Sequence, residues 1–186
     1  MANGSFSGNP KTEWLSDNDG RTMRLIETFW YIDPQGRRWE APAGLVTDGA
    51  TIPRELWSSV GSPFTGSYRL ASILHDSALL NPAILRNDAD AMFFFACLAG
   101  GCSLLESKLF YAGVRLGSWV SMARDSVGDL LPFCAPLARL PGLQSPSELE
   151  VRAKYTLLAS ELLTTGDSFD AVRATVDRHL GSPPPH

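Results

Sequence analysis

A histidine and an aspartate that stand side by side, His75 and Asp76, are the residues of this sequence best suited to chemistry. An imidazole can act as a general base or as a metal ligand near neutral pH. The neighbouring carboxylate can bind a cation, or it can hold a water molecule that the imidazole activates. If the protein is an enzyme, we expect its chemistry around this pair and Asp48.

The pair lies in a predicted helix that covers residues 67–80. Apolar side chains recur there at helical spacing, and Asn81-Pro82 ends the pattern. Residues three and four positions apart share one side of a helix, so Tyr68 and Ser72 lie on the same flank as His75. We therefore predict that Tyr68 and Ser72 contact a substrate bound at the His-Asp pair.

A second helix is predicted to start with a cap at Asn87 or Asp88 and to reach Gly100-Gly101. The short connection between the two helices permits them to run antiparallel. Asp90 begins the stripe that must face inward, so it is the acid best placed to approach His75. A carboxylate on the far ring nitrogen would fix the tautomer and stabilise the imidazolium. The predicted catalytic residues are therefore His75, Asp76 and Asp90.

The predicted loop over residues 47–53 supplies another carboxylate and a hydroxyl group. Gly49 allows a close backbone approach beside Asp48, and Thr51 is a further candidate for substrate binding. Asp48 and Asp76 are the candidate ligands of a divalent cation. Because the ligand set is mixed and rich in oxygen, Ca²⁺, Mg²⁺, Mn²⁺ and Zn²⁺ all remain open.

Each of these residues also has a structural interpretation. A single histidine on the flank of a helix is more often a buried imidazole with satisfied hydrogen bonds. Asp48 is typical of a turn, and Asp88 and Asp90 stand where acids favour a helix N-terminus. The sequence contains no glycine-rich phosphate loop, nucleophile elbow or HExxH motif that would decide the chemistry.

The remaining patterns predict an α+β fold that is mainly helical, with a small N-terminal antiparallel hairpin or meander packed on a helical core and a C-terminal helical pair. Strands are expected over 23–32, 37–40 and 45–47, with a turn at Asp33-Pro34-Gln35-Gly36. Further helices are expected over 103–122, 145–165 and 169–180. The predicted units are a flexible arm (1–20), a core domain (21–123), a linker (124–144), a C-terminal helical module (145–181) and a tail (182–186).

Composition limits the class of protein. The chain has 186 residues, 44% of them apolar, and a net charge of −4, which suits a buried core and argues against a nucleic-acid binder. Its three cysteines, Cys97, Cys102 and Cys134, show no disulfide or zinc spacing and predict free thiols in a reducing compartment. The longest apolar run, 91–105, is shorter than the roughly 20 residues that span a bilayer. Without a signal-peptide pattern, the protein is expected to be cytoplasmic as synthesised.

Several motifs occur in a fixed order: a segment at 41–53 that contains Thr47-Asp48-Gly49-Ala50-Thr51-Ile52-Pro53, then Leu74-His75-Asp76, then Asp88-Ala89-Asp90 with Phe93, and later Tyr111–Gly117. Over about residues 22–120 this order resembles a family of phages and prophages, the domain of unknown function 1353. The resemblance implies a bacterial or phage source and leaves the function unassigned. Residues 77–80 depart from the family, which often has an aromatic pair after the His-Asp motif.

A more local likeness is to phospholipases A2, which also place a His-Asp pair on one helix and an orienting acid on an antiparallel helix. It implies His75 as the base, Asp76 as a calcium ligand and Asp90 as the orienting acid. The glycine-rich calcium loop and the flanking disulfide cysteines of those enzymes are missing here.

Three functions follow as hypotheses. The first is a phage or bacterial hydrolase of the cell envelope, acting on lipid or peptidoglycan. The second is a non-catalytic component of a virion, tail or secretion system that binds neighbouring subunits, with Trp14 and Trp57 as exposed contacts. The third is an immunity or inhibitor protein. The expected partners are an envelope substrate or such protein subunits, with no nucleic acid and no transmembrane segment.

Overall fold

The computed structural model describes residues 3–16, 22–47, 52, 56, 66–134 and 148–181, with the backbone alone for 122–134. Within them lie six strands: β1 (Ser5–Phe6), β2 (Thr12–Trp14), β3 (Met23–Leu25), β4 (Phe29–Ile32), β5 (Arg38–Ala41) and β6 (Val46–Thr47). The helices of the same residues are α1 (Arg69–Leu79), α2 (Arg86–Ala99), α3 (Leu104–Cys134), α4 (Glu148–Leu162) and α5 (Phe169–Leu180). This arrangement confirms the predicted α+β class.

The strands form two antiparallel sheets, ordered β1-β4-β5 and β2-β3-β6. The hairpin that joins β4 to β5 turns at Asp33, whose Oδ1 accepts hydrogen bonds from the backbone N–H groups of Gln35 and Arg37. Gly36 has a φ of 84°, a conformation that costs little without a Cβ. Trp39 Nε1 donates to Asp33 Oδ2 at 2.8 Å, which ties the turn to the buried face of β5. The turn predicted at 33–36 is confirmed.

One prediction about the N-terminal part was wrong. Residues 23–32 do not form one strand, because β3 pairs with β2 and β6 whereas β4 pairs with β1 and β5. Within the predicted arm of residues 1–20, β1 and β2 each extend a sheet. Pairing across sheets is a long-range property that the alternation of residue types along one segment does not contain.

The first two helices run antiparallel, as predicted, with bounds close to those expected. Gly100, after the end of α2, approaches Ser67 before the start of α1 so closely that a Cβ on Gly100 would lie 2.6 Å from Ser67 O. Asp90, near the start of α2, faces His75 near the end of α1. Helix α1 packs on β4 and β5, and α2 packs on α1 and β1. Their inward faces share one core that includes Tyr31, Ile73, Leu74, Phe93 and Phe94.

Helix α3 is longer than predicted. It runs to Cys134 and not to Met122, so the backbone of the predicted 124–144 linker is helical as far as it is described. Gly128 and Pro132 suggested a break, because a helix interior disfavours glycine by about 1 kcal/mol and proline by about 3 kcal/mol, but the tertiary setting can override such preferences. Cys97 and Cys102 are free thiols, as predicted; the side chain of Cys134 lies outside the described residues.

The C-terminal helices pack directly on the core. Lys108 on α3 donates to Thr165 O at 2.8 Å and pairs with Asp167 at 3.1 Å, and Tyr155 on α4 donates to Leu109 O at 3.2 Å. Phe169, at the start of α5, lies 5.0 to 5.3 Å from the rings of Phe94, Phe95 and Tyr111. Burial of aromatic area at this contact makes α4 and α5 part of the same hydrophobic core.

Candidate functional site

A buried imidazole–carboxylate pair joins the first two helices. His75 Nε2 lies 2.7 Å from Asp90 Oδ1, and both side chains have an exposed fraction of 0%. The helical pattern predicted this proximity, and the distance confirms it. The ring of His75 packs against Phe93, one turn after Asp90 on α2, with centroids 5.2 Å apart. The aromatic contact and the carboxylate together fix the orientation of the ring.

The two ring nitrogens of His75 differ in their surroundings. A carboxylate can only accept, so Nε2 carries the proton shared with Asp90 when the ring is neutral. Nδ1 is buried and has no hydrogen-bond partner among the described residues. In the neutral ring Nδ1 therefore keeps its lone pair, which is the form a general base needs.

Arg115 on α3 completes the pair with a buried positive charge. Its Nε lies 3.6 Å from Asp90 Oδ2, and its exposed fraction is 3%. The same guanidinium reaches Asp177 Oδ1 at 2.9 Å and donates to Tyr111 Oη at 3.1 Å and to Gly181 O at 3.2 Å. The site is thus a chain of charged and polar groups that runs from α1 through α2 and α3 to α5.

Burial sets the electrostatics of this chain. It raises the pKa of the Tyr111 phenol to about 12, although the positive charge and hydrogen bond of Arg115 act in the opposite direction. Burial alone would lower the pKa of Arg115, but Tyr111, Asp90 and Asp177 raise it further than burial lowers it. Arg115 is therefore a permanent cation, and Tyr111 is a neutral hydroxyl at neutral pH.

Sequence reasoning missed Arg115 and Asp177. One signal was present: Tyr111 and Arg115 are four positions apart in an otherwise apolar helical stretch, and a buried arginine requires a carboxylate partner. The partner itself could not be chosen, because Asp177 comes from a helix that is distant in the chain.

Asp76 lies outside the buried pair and faces the β-sheet. Its Oδ2 accepts a hydrogen bond from Thr47 Oγ1, at the end of β6. Thr47 is buried, and Asp76 is half-buried. The predicted metal ligand Asp48 and the predicted substrate contact Thr51 lie outside the described residues. The side-chain oxygens of Asp76 and Thr47 are ligand types that Ca²⁺ or Mg²⁺ accepts, but two oxygen-bearing residues alone do not form a site for such an ion.

No group of three or more His, Cys, Asp or Glu side chains stands ready to hold a metal ion in the part of the chain that the structure describes. In the same residues, no helix combines the length and the apolar character needed to cross a membrane.

Two of the predicted substrate contacts are buried: Tyr68, the N-cap residue of α1, and Ser72 within that helix. Ser72 Oγ donates to Tyr68 O at 3.1 Å, a bond one helical turn back, and Tyr68 stacks at a tilt on Phe110 with centroids 4.2 Å apart. Burial raises the pKa of the Tyr68 phenol well above its usual range. Both residues therefore border the flank of His75 from inside the core.

Two of the open clefts formed by described residues are lined by neither His75 nor Asp90. One, of about 470 Å³, lies between the β4–β5 hairpin, α2 and α5, with Arg37 stacked 4.0 Å over the ring of Trp39. The other, of about 360 Å³, lies beside Pro42, Leu80 and Ile84. The buried pair is thus separate from both clefts.

The comparisons with known proteins add a family but no activity. Residues 23–114 match the family model described as protein of unknown function (DUF1353). The uncharacterized protein y4iH of Sinorhizobium fredii is 33% identical over 171 residues, which cover 80% of this chain and 72% of that protein. The chain belongs to the DUF1353 family. No solved structure matches it.

A second relative from Sinorhizobium fredii, the uncharacterized protein y4jT, is 32% identical over 187 residues. The match covers 90% of this chain but 56% of y4jT, so the chain spans about half the length of that relative. The segment of this chain that matches the family model includes His75, Asp76 and Asp90, and it ends immediately before Arg115. The buried chain of charges therefore extends beyond the family match into α3 and α5.

Proposed function

We propose that the protein is a hydrolase in which His75 activates water, and that its substrate is an acyl bond of the bacterial cell envelope, either a phospholipid ester or a peptidoglycan amide. The observation that carries the proposal is the contact of His75 Nε2 with Asp90 at 2.7 Å, together with a buried Nδ1 that has no partner in the described part of the chain. One nitrogen is fixed by an acid, and the other keeps its lone pair.

This arrangement supports a two-step proton transfer. Nδ1 removes a proton from a water molecule as that water attacks the acyl carbon, and Asp90 stabilises the imidazolium that results. The imidazolium then gives the proton to the departing oxygen or nitrogen, so that the acid and the alcohol or amine leave. Water is the sole co-reactant, and the imidazole returns to its starting form.

Asp76 is the residue that would assist this reaction. It follows His75 directly on α1, and its bond with Thr47 holds it beside the end of β6. In this proposal its carboxylate orients the attacking water, or it contributes to a divalent cation site with Asp48, which follows Thr47 in the sequence. A cation bound there would polarise the acyl oxygen.

The test is hydrolysis of two substrates, phospholipid vesicles and purified peptidoglycan, by the full chain, by His75→Ala and by His179→Ala. His179 is a matched control because it also contacts a carboxylate, Glu161, at 2.6 Å, but it is not among the residues that contact Arg115 or Asp90 in the described structure. We expect loss of activity in His75→Ala alone. Equal rates for His75→Ala and the wild type would refute the proposal, and a chelator shows whether a cation takes part.

One observation favours a second candidate, a non-catalytic phage or secretion-system component. His75 and Asp90 are both fully buried, and a buried polar network can serve to fix helix packing alone. Trp14, with an exposed fraction of 56%, is a contact that such a component would use. This candidate expects His75→Ala to change stability without any activity to lose. A monomer that binds no phage or secretion-system protein at high concentration would count against it.

A further inference from the structure

The contacts of Arg115 connect the buried pair to the last helix. Asp90 Oδ2 is buried and accepts no hydrogen bond from the described residues, and the guanidinium of Arg115 is the positive charge that faces it. That guanidinium is held in turn by Asp177 at 2.9 Å and by Gly181 O at 3.2 Å, both at the C-terminal end of the chain. The position of Arg115 is therefore set largely by α5.

The lengths of these contacts are unequal. Arg115 Nη1 lies 2.9 Å from Asp177 Oδ1, whereas Arg115 Nε lies 3.6 Å from Asp90 Oδ2, and neither of these two carboxylate oxygens accepts a hydrogen bond from the described residues, so both contacts are ion pairs. The guanidinium is therefore shared between two carboxylates and lies nearer to Asp177, while Asp90 Oδ1 contacts the imidazole at 2.7 Å. If the charge of Asp177 is removed, the guanidinium has one buried carboxylate left, and that carboxylate is Asp90.

We propose that Arg115 and Asp177 are positioning residues, through which the C-terminal helix sets the strength of the Asp90–His75 hydrogen bond. The catalytic consequence rests on the proposed function, but the bond itself does not. In this proposal the C-terminal helix α5, which lies outside the matched family segment, helps to position the side chains of the site.

The bond is observed directly through the NMR resonance of the His75 Nε2 proton, because such protons move downfield as they share more closely with a carboxylate. The comparison uses the full-length wild type and Asp177→Asn, which keeps the shape of the side chain and removes its charge. We expect an upfield shift and faster exchange with water in Asp177→Asn, since Arg115 then competes with His75 for Asp90.

The matched control is Asp170→Asn on the same helix. Asp170 pairs with Arg173 at 3.0 Å, but its exposed fraction is 84% and it is remote from Arg115 in the hydrogen-bond network. The control is expected to leave the Nε2 resonance unchanged. An unchanged resonance in Asp177→Asn as well would overturn the proposal.

Arg115→Lys supplies an independent variant. Lysine keeps the charge but has one nitrogen, and so it cannot reach Asp177, Gly181 O and Asp90 at once. We expect the Nε2 resonance to shift in this variant too, and an unshifted resonance there would contradict the account. A shifted resonance in a protein that hydrolyses neither substrate would refute the proposed function while the positioning role stands.

Discussion

Replacement of Asp90 by asparagine tests whether the site depends on a buried charge. The change preserves the size of the side chain and an acceptor oxygen for His75 Nε2, but it removes the negative charge that faces Arg115. The matched control is Asp88→Asn, two residues earlier on α2. Asp88 pairs with Arg37 at 3.1 Å, with exposed fractions of 47% and 44% for the two side chains.

The expected magnitudes follow from burial. A hydrogen bond to a charged group contributes about 1.5–3 kcal/mol, and breaking a buried ion pair costs about 3–5 kcal/mol. Because the introduced amide oxygen would still accept from His75, and Arg115 would still have Asp177, we expect Asp90→Asn to lower the free energy of unfolding by about 2–3 kcal/mol. An exposed pair contributes roughly 0–1 kcal/mol, so Asp88→Asn should cost less than about 1 kcal/mol.

The assay is urea unfolding near neutral pH, followed by circular dichroism and tryptophan fluorescence, with the slope checked for a two-state transition. Equal losses in the two variants would refute the reasoning. A more stable Asp90→Asn would refute it too. That result would mean that the desolvation cost of the buried charge exceeds the stabilisation from its interactions with His75 and Arg115.

Two further predictions concern parts of the fold away from the site. Hydrogen bonds from His179 and Arg178 lower the pKa of Glu161 below its usual 4.5. The stabilisation from these bonds is therefore present above that pH and is lost as the pH falls through the lowered pKa. In urea unfolding between about pH 6 and pH 3, the free energy of unfolding of the wild type should exceed that of Glu161→Gln by an amount that shrinks toward acid, and a constant difference would contradict this. Gly4→Ala should destabilise more than Gly36→Ala in thermal unfolding, because both glycines have φ near +85° but a Cβ at Gly4 alone would clash with the backbone of Ile32; equal losses would show that β1 is not held against β4.

Local patterns in the sequence predicted a large part of the structure. The apolar spacing of 67–80, the turn at 33–36 and the start and end of α5 depend on neighbours within a few residues, and each was recovered. Ser168 accepts a hydrogen bond from Ala171 N at the start of α5, and Gly181 ends the helix with a φ of 77°. Such signals are encoded in segments short enough to recognise from residue types alone.

The approach of Asp90 to His75 was also predictable, because a short connection between two amphipathic helices restricts how they pack. Arg115 and Asp177 were not. Arg115 and Gly181 are 66 residues apart, and their contact depends on how α3 and α5 cross, which side-chain types do not specify. The division of residues 23–32 between two sheets was not predicted for the same reason, since the partner strands β1 and β2 come from a segment with no distinct strand pattern.

The central claim, that His75 activates water, requires solvent to reach a ring with no exposed surface. The measurement that tests it most directly is hydrogen–deuterium exchange at Cε1 of His75 in the native full chain, compared with the backbone amide of Leu74 beside it on α1. The account predicts that Cε1 exchanges through local opening, with far less protection than that core amide. Protection of His75 equal to that of Leu74 would mean that the ring meets solvent only on global unfolding, and it would contradict a catalytic role.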